Sequence, residues 1–308
     1  MKHLLKKIVF KFHAQIFKRL EELEKIEIGN RFLLGCIAAT ELQRRIKNDE
    51  VKNLQEAEFQ VFSQFGDDGI IQFLVEKLSP LPKVFIEFGV ENYREANTRF
   101  LLMHNNWRGL VIDANPNMVE QIRRSDLYWR HDLTAISAFV TCENINDIFI
   151  KNGFTGQIGL LSIDIDGNDY WVWQAIEVVS PVIVVVEYNS VFGAERAISI
   201  PYTPNFQRYK AHFSGLYWGA SLPAFCYLAQ QKGYDFIGCN SAGNNAYFVR
   251  KDCNLLPSLT VQEGFVCAHF RESRDSAGNL TFLSGQDRFA AIKGCEVVEV
   301  ISNKIEKI

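Results

Sequence analysis

The chain has 308 residues, of which 47% are apolar and 22% charged, with 24 phenylalanines. That composition is ordinary for a soluble globular protein and is enough for a sizeable buried core. The net charge of −3 excludes a protein whose main partner is nucleic acid. The seven cysteines form no C-x-x-C pair and are odd in number. That pattern argues against a disulfide framework or zinc site and fits reduced thiols in a cytoplasmic protein.

The first segment, "MKHLLKKIVFKFHAQIFKRL", carries six Lys/Arg and no acid, with Leu5, Ile8, Val9, Phe12 and Ile16 at helical spacing. Lys6, Lys7 and Lys11 interrupt its apolar run and no small-residue cleavage site follows, so it does not read as a signal peptide. A basic amphipathic helix of this kind can contact a membrane surface peripherally through residues 1–20. It can equally pack on its own domain or on a second subunit as a homo-oligomer. "RFLLGCIAATELQRRI" reads as a second helix, and the polar stretch "KNDEVKNLQEAE" marks a boundary. The predicted organisation is an N-terminal helical segment, 1–55, followed by one domain, 56–308.

From there the pattern alternates. "DDGIIQFLVEKL" is apolar at helix period, with Asp67 placed to cap its start. "KVFIEFG" reads as a first strand, "EANTRFLLMHNN" as a helix and "RGLVIDANP" as a second strand. "NMVEQIRRS" follows as a helix, "AISAFVT" as a third strand, and "NINDIFIKNG" as a helix stopped by Gly153. "GQIGLLSIDID" is a fourth strand and "DYWVWQAIEVVS" its helix. "PVIVVVEYN", the most β-branched run in the chain, is a fifth. "SLPAFCYLAQQKG" is a helix, and "YDFIGCN" and "NAYFVRK" are two strands joined by the turn "SAGN". Alternating strands and helices predict an α/β fold with a mostly parallel seven-stranded sheet. The closing hairpin makes the last strand antiparallel, which resembles the Rossmann-like class I methyltransferase fold.

Ligands in open α/β sheets lie outside the carboxyl ends of the strands. Four of those ends carry an acid: Glu87 before Gly89, Asp113 before Ala114 and Asn115, Asp164 and Asp166, and Glu187 before Asn189. Gly89 lets backbone approach a ligand closely. Asp113 stands where nucleotide-binding folds hold a ribose hydroxyl pair. "EFGVENYREANT" has a single Gly and no pyrophosphate fingerprint, which argues against NAD or FAD and is compatible with S-adenosylmethionine (SAM), which has no phosphate. Asp164, Glu187 and Asn189 converge at neighbouring strand tips, a hard-oxygen set that suits Mg²⁺; the alternative is that Asp164 orients cofactor or substrate without metal. Asp169, in a first helical turn, serves the helix dipole.

The long loop after the fifth strand holds Tyr202, Tyr209, His212, Tyr217 and Trp218. Loops of that length are usually lids or binding loops, and aromatic residues stack on sugar faces. His212 is the candidate general base. Tyr202 and Tyr217, with Asn244 and Asn245 in the closing turn, are the candidate acceptor contacts.

These residues together resemble the FkbM-type SAM-dependent methyltransferases of bacterial polysaccharide and antibiotic biosynthesis. The motifs are "FSQFGDDGII", "VFIEFGV…GLVIDANP", "TCENINDIF", "LLSIDIDGNDYWVW", "VVVEYNS" and "SAGNNAYFVR", spanning roughly residues 60 to 250. The resemblance implies O-methylation of a sugar, glycan or nucleotide-sugar hydroxyl. It implies SAM held near Gln64, Glu87, Gly89, Asp113, Ala114, Glu143 and Asp164, with catalytic roles for Asp164, Asp166 and His212. It further implies a divalent ion at Asp164, Glu187 and Asn189. Two other readings stay open: a glycosyltransferase using Asp164-x-Asp166 with a metal and a nucleotide sugar, and a non-catalytic scaffold.

Overall fold

A computed structural model describes residues 2–308. The side chains of residues 2–9, 11, 14 and 21 are not described, so the expected apolar positions Leu5, Ile8 and Val9 lie outside the described residues. The amino-terminal part is one continuous helix, α1, Lys2–Lys47, and not the two expected segments. Gly29 stands inside it. A glycine costs a helix interior about 1 kcal/mol relative to alanine, too little to break a run of otherwise good helix formers. Ala39, Leu42 and Ile46 anchor the carboxyl half of α1 in the core. They pack it against α2 (Asp67–Lys77) and α3 (Arg99–Asn105).

The main sheet contains β1 (Val84–Phe88), β2 (Arg108–Asp113), β3 (Leu133–Ser137), β4 (Gly156–Ile163) and β5 (Val179–Glu187). After the short β6 (Ile198–Ser199), β7 (Tyr234–Cys239) and β8 (Asn245–Arg250) complete it. The order is β3-β2-β1-β4-β5-β8-β7, with only β8 antiparallel to its neighbours. That is the expected fold class, a Rossmann-like, mostly parallel seven-stranded α/β sheet with its closing hairpin inserted beside β5. Both faces are covered. Ile86, Ile112, Leu161, Val184 and Phe248 pack on one side, and Phe85, Val111, Leu160, Ile183 and Tyr247 on the other. Trp173, in α4 (Asp169–Ala175), fills the first layer against Phe225, Tyr234 and Phe248.

Three expectations need correction. The third strand ends at Ser137, two residues short of Phe139, because Phe139 and Val140 leave the sheet to line a cavity. Asp67 does not cap α2: the N-cap is Gly66, without a side-chain cap. Asp67 is instead fully buried, where Oδ1 accepts from Asn240 and Asn245 (3.0 Å each) and from the Tyr247 hydroxyl. The carboxyl-terminal region, unassigned from sequence, forms β9 (Glu296–Glu299) and β10 (Lys304–Lys307). These join β6 in a three-stranded antiparallel sheet that braces the loop after β5. No helix among the described residues is long and apolar enough to cross a membrane.

Candidate active site

A cavity of about 230 Å³ opens at the carboxyl ends of β1, β2 and β4, lined by Gly89, Glu91, Asp113, Ala114, Phe139, Val140, Asp164, Ile165, Asp166, Asn168 and Phe206 among others. Each wall has a sequence cause. Gly89 has φ +80°, and a Cβ there would stand 1.5 Å from the Asp164 carbonyl oxygen, so only glycine permits the two strand ends to meet. At Gly167 a Cβ would stand 2.3 Å from the Phe206 ring, so this glycine lets the loop phenylalanine seat over the turn. Asp113 accepts from the backbone N–H of Glu91 through Oδ2 and of Asn115 through Oδ1, both at 2.7 Å. It thereby ties the β1 loop to the β2 tip at the cavity wall.

The "DIDGND" turn divides its three acids. Asp169 accepts from the N–H of Ile165 (2.8 Å) and Gly167 (2.9 Å), clamping the turn from below; burial pushes its carboxyl up to about 6. Asp166, at φ +55°, projects outward and pairs with Arg208 at 2.7 Å. Asp164 stands beside Glu187, because Ile163 pairs with Val186 in the preceding register. Burial first, then the neighbouring carboxylates, raise both acids well above the usual range. Glu187 Oε2 is buried without a hydrogen-bond partner. Two buried carboxyls side by side disfavour a second negative charge at this point.

Arg208, which sequence reading missed, is the cation of the site. It lies in the short helix α5, Arg208–Ala211, inside the loop after β5. Its guanidinium donates to Asp166 and to the Gly215 carbonyl (2.6 Å) and stacks 4.8 Å from the Trp218 ring centroid. Its charge also acts on Glu187, where it opposes the upward shift. Asn168 was missed too. It is buried on the cavity wall, donating to the Thr203 carbonyl at 2.9 Å and leaving its Oδ1 without a partner. One of two arginines in an aperiodic aromatic loop, with nothing to set it apart from Arg196, was the available signal for the first; the second had none.

The remaining expected residues lie as follows. Ala114 lines the cavity. Glu87 is buried beneath it, accepting from the N–H of Asn97 (2.9 Å) and Thr98 (3.0 Å) and from the Thr98 hydroxyl. Gln64 is exposed and outside the lining. Glu143 accepts from the Tyr202 hydroxyl at 2.6 Å, which fastens the loop across the β3 side of the cavity. Tyr217 donates to the Glu296 carbonyl. His212 bonds through Nδ1 to Ser214 and does not line the cavity, and burial lowers its pKa. Asn244 and Asn245 are buried in the Asp67 network. Asn189 donates to the carbonyls of Leu216 and Trp218 (2.9 Å each) and accepts from the Val191 N–H, so its amide is engaged by the loop. Among the described residues no group of three or more His, Cys, Asp or Glu is arranged to hold a metal ion.

Glu87 carries a pH prediction. Burial raises its carboxyl to about 7. The folded chain therefore keeps a proton that the unfolded chain releases above the ordinary Glu range, and stability falls as pH rises through that interval. Glu87→Gln is expected to flatten the decline in Tm between pH 5 and 7.5, read by thermal melts in matched buffers. An unchanged slope would assign the decline to other groups.

No protein-family model and no curated protein matches the sequence. Solved structures do. The SAH-bound N-terminal domain of EvdMO1 aligns at TM-score 0.40 and 10% identity, covering 68% of this chain and 94% of that one. A putative caffeoyl-CoA O-methyltransferase from Staphylococcus aureus aligns at 0.40 and 12%, over 72% and 99%. An O-methyltransferase from Bacillus cereus in complex with SAH aligns at 0.39 and 12%, over 69% and 90%. At these scores they add nothing to the strand order described above.

Proposed function

We propose that this protein is a SAM-dependent O-methyltransferase. One observation carries the reading: among the described residues Glu91, Asp113, Asp164 and Asp166 line the cavity and no Lys, Arg or His does, Arg208 reaching Asp166 from outside the lining. Such a wall repels a pyrophosphate and attracts a cationic cofactor, which counts against both a dinucleotide and an unescorted nucleotide sugar. When bound, SAM supplies an electrophilic methyl group on a sulfonium. Gly89 and Ala114 give the close backbone approach, Asp113 has lone pairs left for a ribose, and Phe139 and Phe206 offer apolar faces.

The chain's own part is positioning and proton transfer. A hydroxyl brought under the loop meets Asp164, with Glu187 beside it, and the Asp164 carboxylate accepts the hydroxyl proton as the oxygen–carbon bond forms and the carbon–sulfur bond breaks. Arg208 stabilises the charged pair. Mg²⁺ between Asp164 and Glu187 would need waters for its remaining ligands, since Asn189 is engaged elsewhere. A sugar, glycan or nucleotide-sugar hydroxyl as acceptor is supported by the FkbM-type motifs and by the aromatic loop.

Calorimetry tests the reading. S-adenosylhomocysteine is expected to bind in EDTA, and Asp113→Ala to weaken it ~10–100-fold through loss of hydrogen bonds to a charged group. Binding of a nucleotide sugar with Mn²⁺, and of no S-adenosylhomocysteine, would establish the glycosyltransferase instead.

A further inference from the structure

We propose that the cleft between α1 and the helical segments Pro116–Arg124 and Asp126–Arg130 binds a small phosphate-bearing molecule, with its phosphoryl group at Arg99. The cleft has a volume of about 1000 Å³, within the range of small-molecule sites. Its walls carry Lys25, Arg94, Arg99, Arg124 and Arg130 against two acids, Glu24 and Asp126. The active-site cavity is lined by acids instead, so a phosphate that the first cavity repels is drawn to the second. Ile28, Phe32 and Met103 give the cleft an apolar side for the rest of the ligand.

Arg99 is the residue that points to a ligand. It is 5% exposed and opens α3, yet it forms no ion pair with any carboxylate among the described residues. A buried charge is ordinarily paired, because removing it from water is costly. Nη1 donates to the carbonyls of Tyr93 (3.2 Å) and Arg94 (2.8 Å), and the guanidinium stacks 4.3 Å from the Phe62 ring centroid. Nε is buried without a hydrogen-bond partner, and Nη2 makes no hydrogen bond among the described residues. The open edge, Nε with Nη2, is the fork that grips a phosphate through two parallel bonds. Burial first, with Arg31 and Arg94 adding repulsion, lowers the Arg99 pKa to about 10. Three cations this close favour a dianion over a single carboxylate.

The surroundings hold Arg99 in place and limit what can reach it. Glu91 and Tyr93 have φ +47° and +62°, and this turn aims the Tyr93 and Arg94 carbonyls at Nη1. The same turn separates the two cavities: Glu91 lines the first, and Asn92 and Arg94 line the second. A guanidinium with 5% of its residue surface exposed, at the wall of a cleft between helices, is out of reach of a flat lipid surface. A small molecule entering the cleft can meet it.

Calorimetry on the full chain in EDTA tests this, with phenyl phosphate as the probe. It is expected to bind with a Kd below about 1 mM, and benzoate at least ~10-fold more weakly, since a monoanion carries half the charge to the same cations. Arg99→Met should weaken phenyl phosphate at least ~10-fold. Gly29→Leu tests the cleft without touching Arg99. Gly29 lines it, and a Cβ there meets nothing within 4 Å, so the added side chain narrows the cleft without a clash. Leucine is also the better helix former, so Tm should equal or exceed the parent's while phenyl phosphate binding falls at least ~3-fold. This variant decides the matter where Arg99→Met does not fold. Absence of binding at about 10 mM, displacement by S-adenosylhomocysteine, equal affinity for benzoate, or affinity unmoved by Gly29→Leu each overturns the proposal. So does a chain that ignores phenyl phosphate but co-sediments with phosphatidylglycerol vesicles, which would assign the cations to a lipid surface.

Discussion

Gly89→Ala is expected to abolish S-adenosylhomocysteine binding and to cost about 3–5 kcal/mol of stability, the sum of a left-handed backbone and an overpacked contact. The overlap is with backbone: a Cβ would lie 1.5 Å from the Asp164 carbonyl oxygen. Neither strand end can yield cheaply. The Gly89 N–H is held by the Ile112 carbonyl at 3.0 Å, and Phe88 pairs with both Ile112 and Ile163. Relief requires β1 and β4 to part, which moves Asp164 away from Glu187 and Glu91 away from Asp113. Gly153→Ala is the control. Its φ of +74° is as unusual, but only the Arg108 guanidinium lies near, at 3.7 Å. It should cost about 1 kcal/mol, the conformational part alone. Urea titrations of the two variants measure the difference; equal costs would show that strand approach at Gly89 is not the constraint.

Asp164→Asn and Glu187→Gln are each expected to lower kcat by more than ~100-fold, the usual contribution of a positioned base, with S-adenosylhomocysteine affinity little changed. The same substitutions should raise stability in alkaline buffer. Both carboxyls are raised in the folded state, so the folded chain binds protons that the unfolded chain releases, and wild-type stability falls as pH climbs above the ordinary carboxylate range. An amide removes that dependence. The gain should therefore vanish near pH 4 and grow toward pH 8, measured by paired denaturant titrations. A variant less stable than wild type at pH 8 would mean that the pair is not electrostatically strained. Loss of activity with loss of stability would mark a structural role.

The sheet was legible because its strands announce themselves. Runs such as "PVIVVV" are β-branched and buried on both faces, and four of the strands end at an acid. Strand ends are local features, so Asp113, Ala114 and Asp164 could be placed on the cavity from the sequence. What failed was tertiary. Asn189 looks like an oxygen ligand in "EYNS", yet its direction is set by two carbonyls some 27 and 29 residues on. Arg208 meets Asp166 across 42 residues of chain, with no periodicity to connect them. β9 and β10, four residues each with their inward side chains hidden among charges, have no distinctive pattern until β6 is beside them.

The buried carboxylate of Asp67 bears on how the chain matures. Its acceptor oxygen is satisfied only by Asn240, Asn245 and Tyr247, the last 180 positions downstream. While the polypeptide is still emerging from the ribosome, α2 can dock on β1 but must shelter an unsatisfied acid until the closing hairpin arrives. Domains generally fold as units during synthesis, and an early intermediate with such a defect stays open. Truncation before residue 247 should therefore yield a species that holds its secondary structure and is readily proteolysed, with completion of the domain reserved for the last strand of the main sheet.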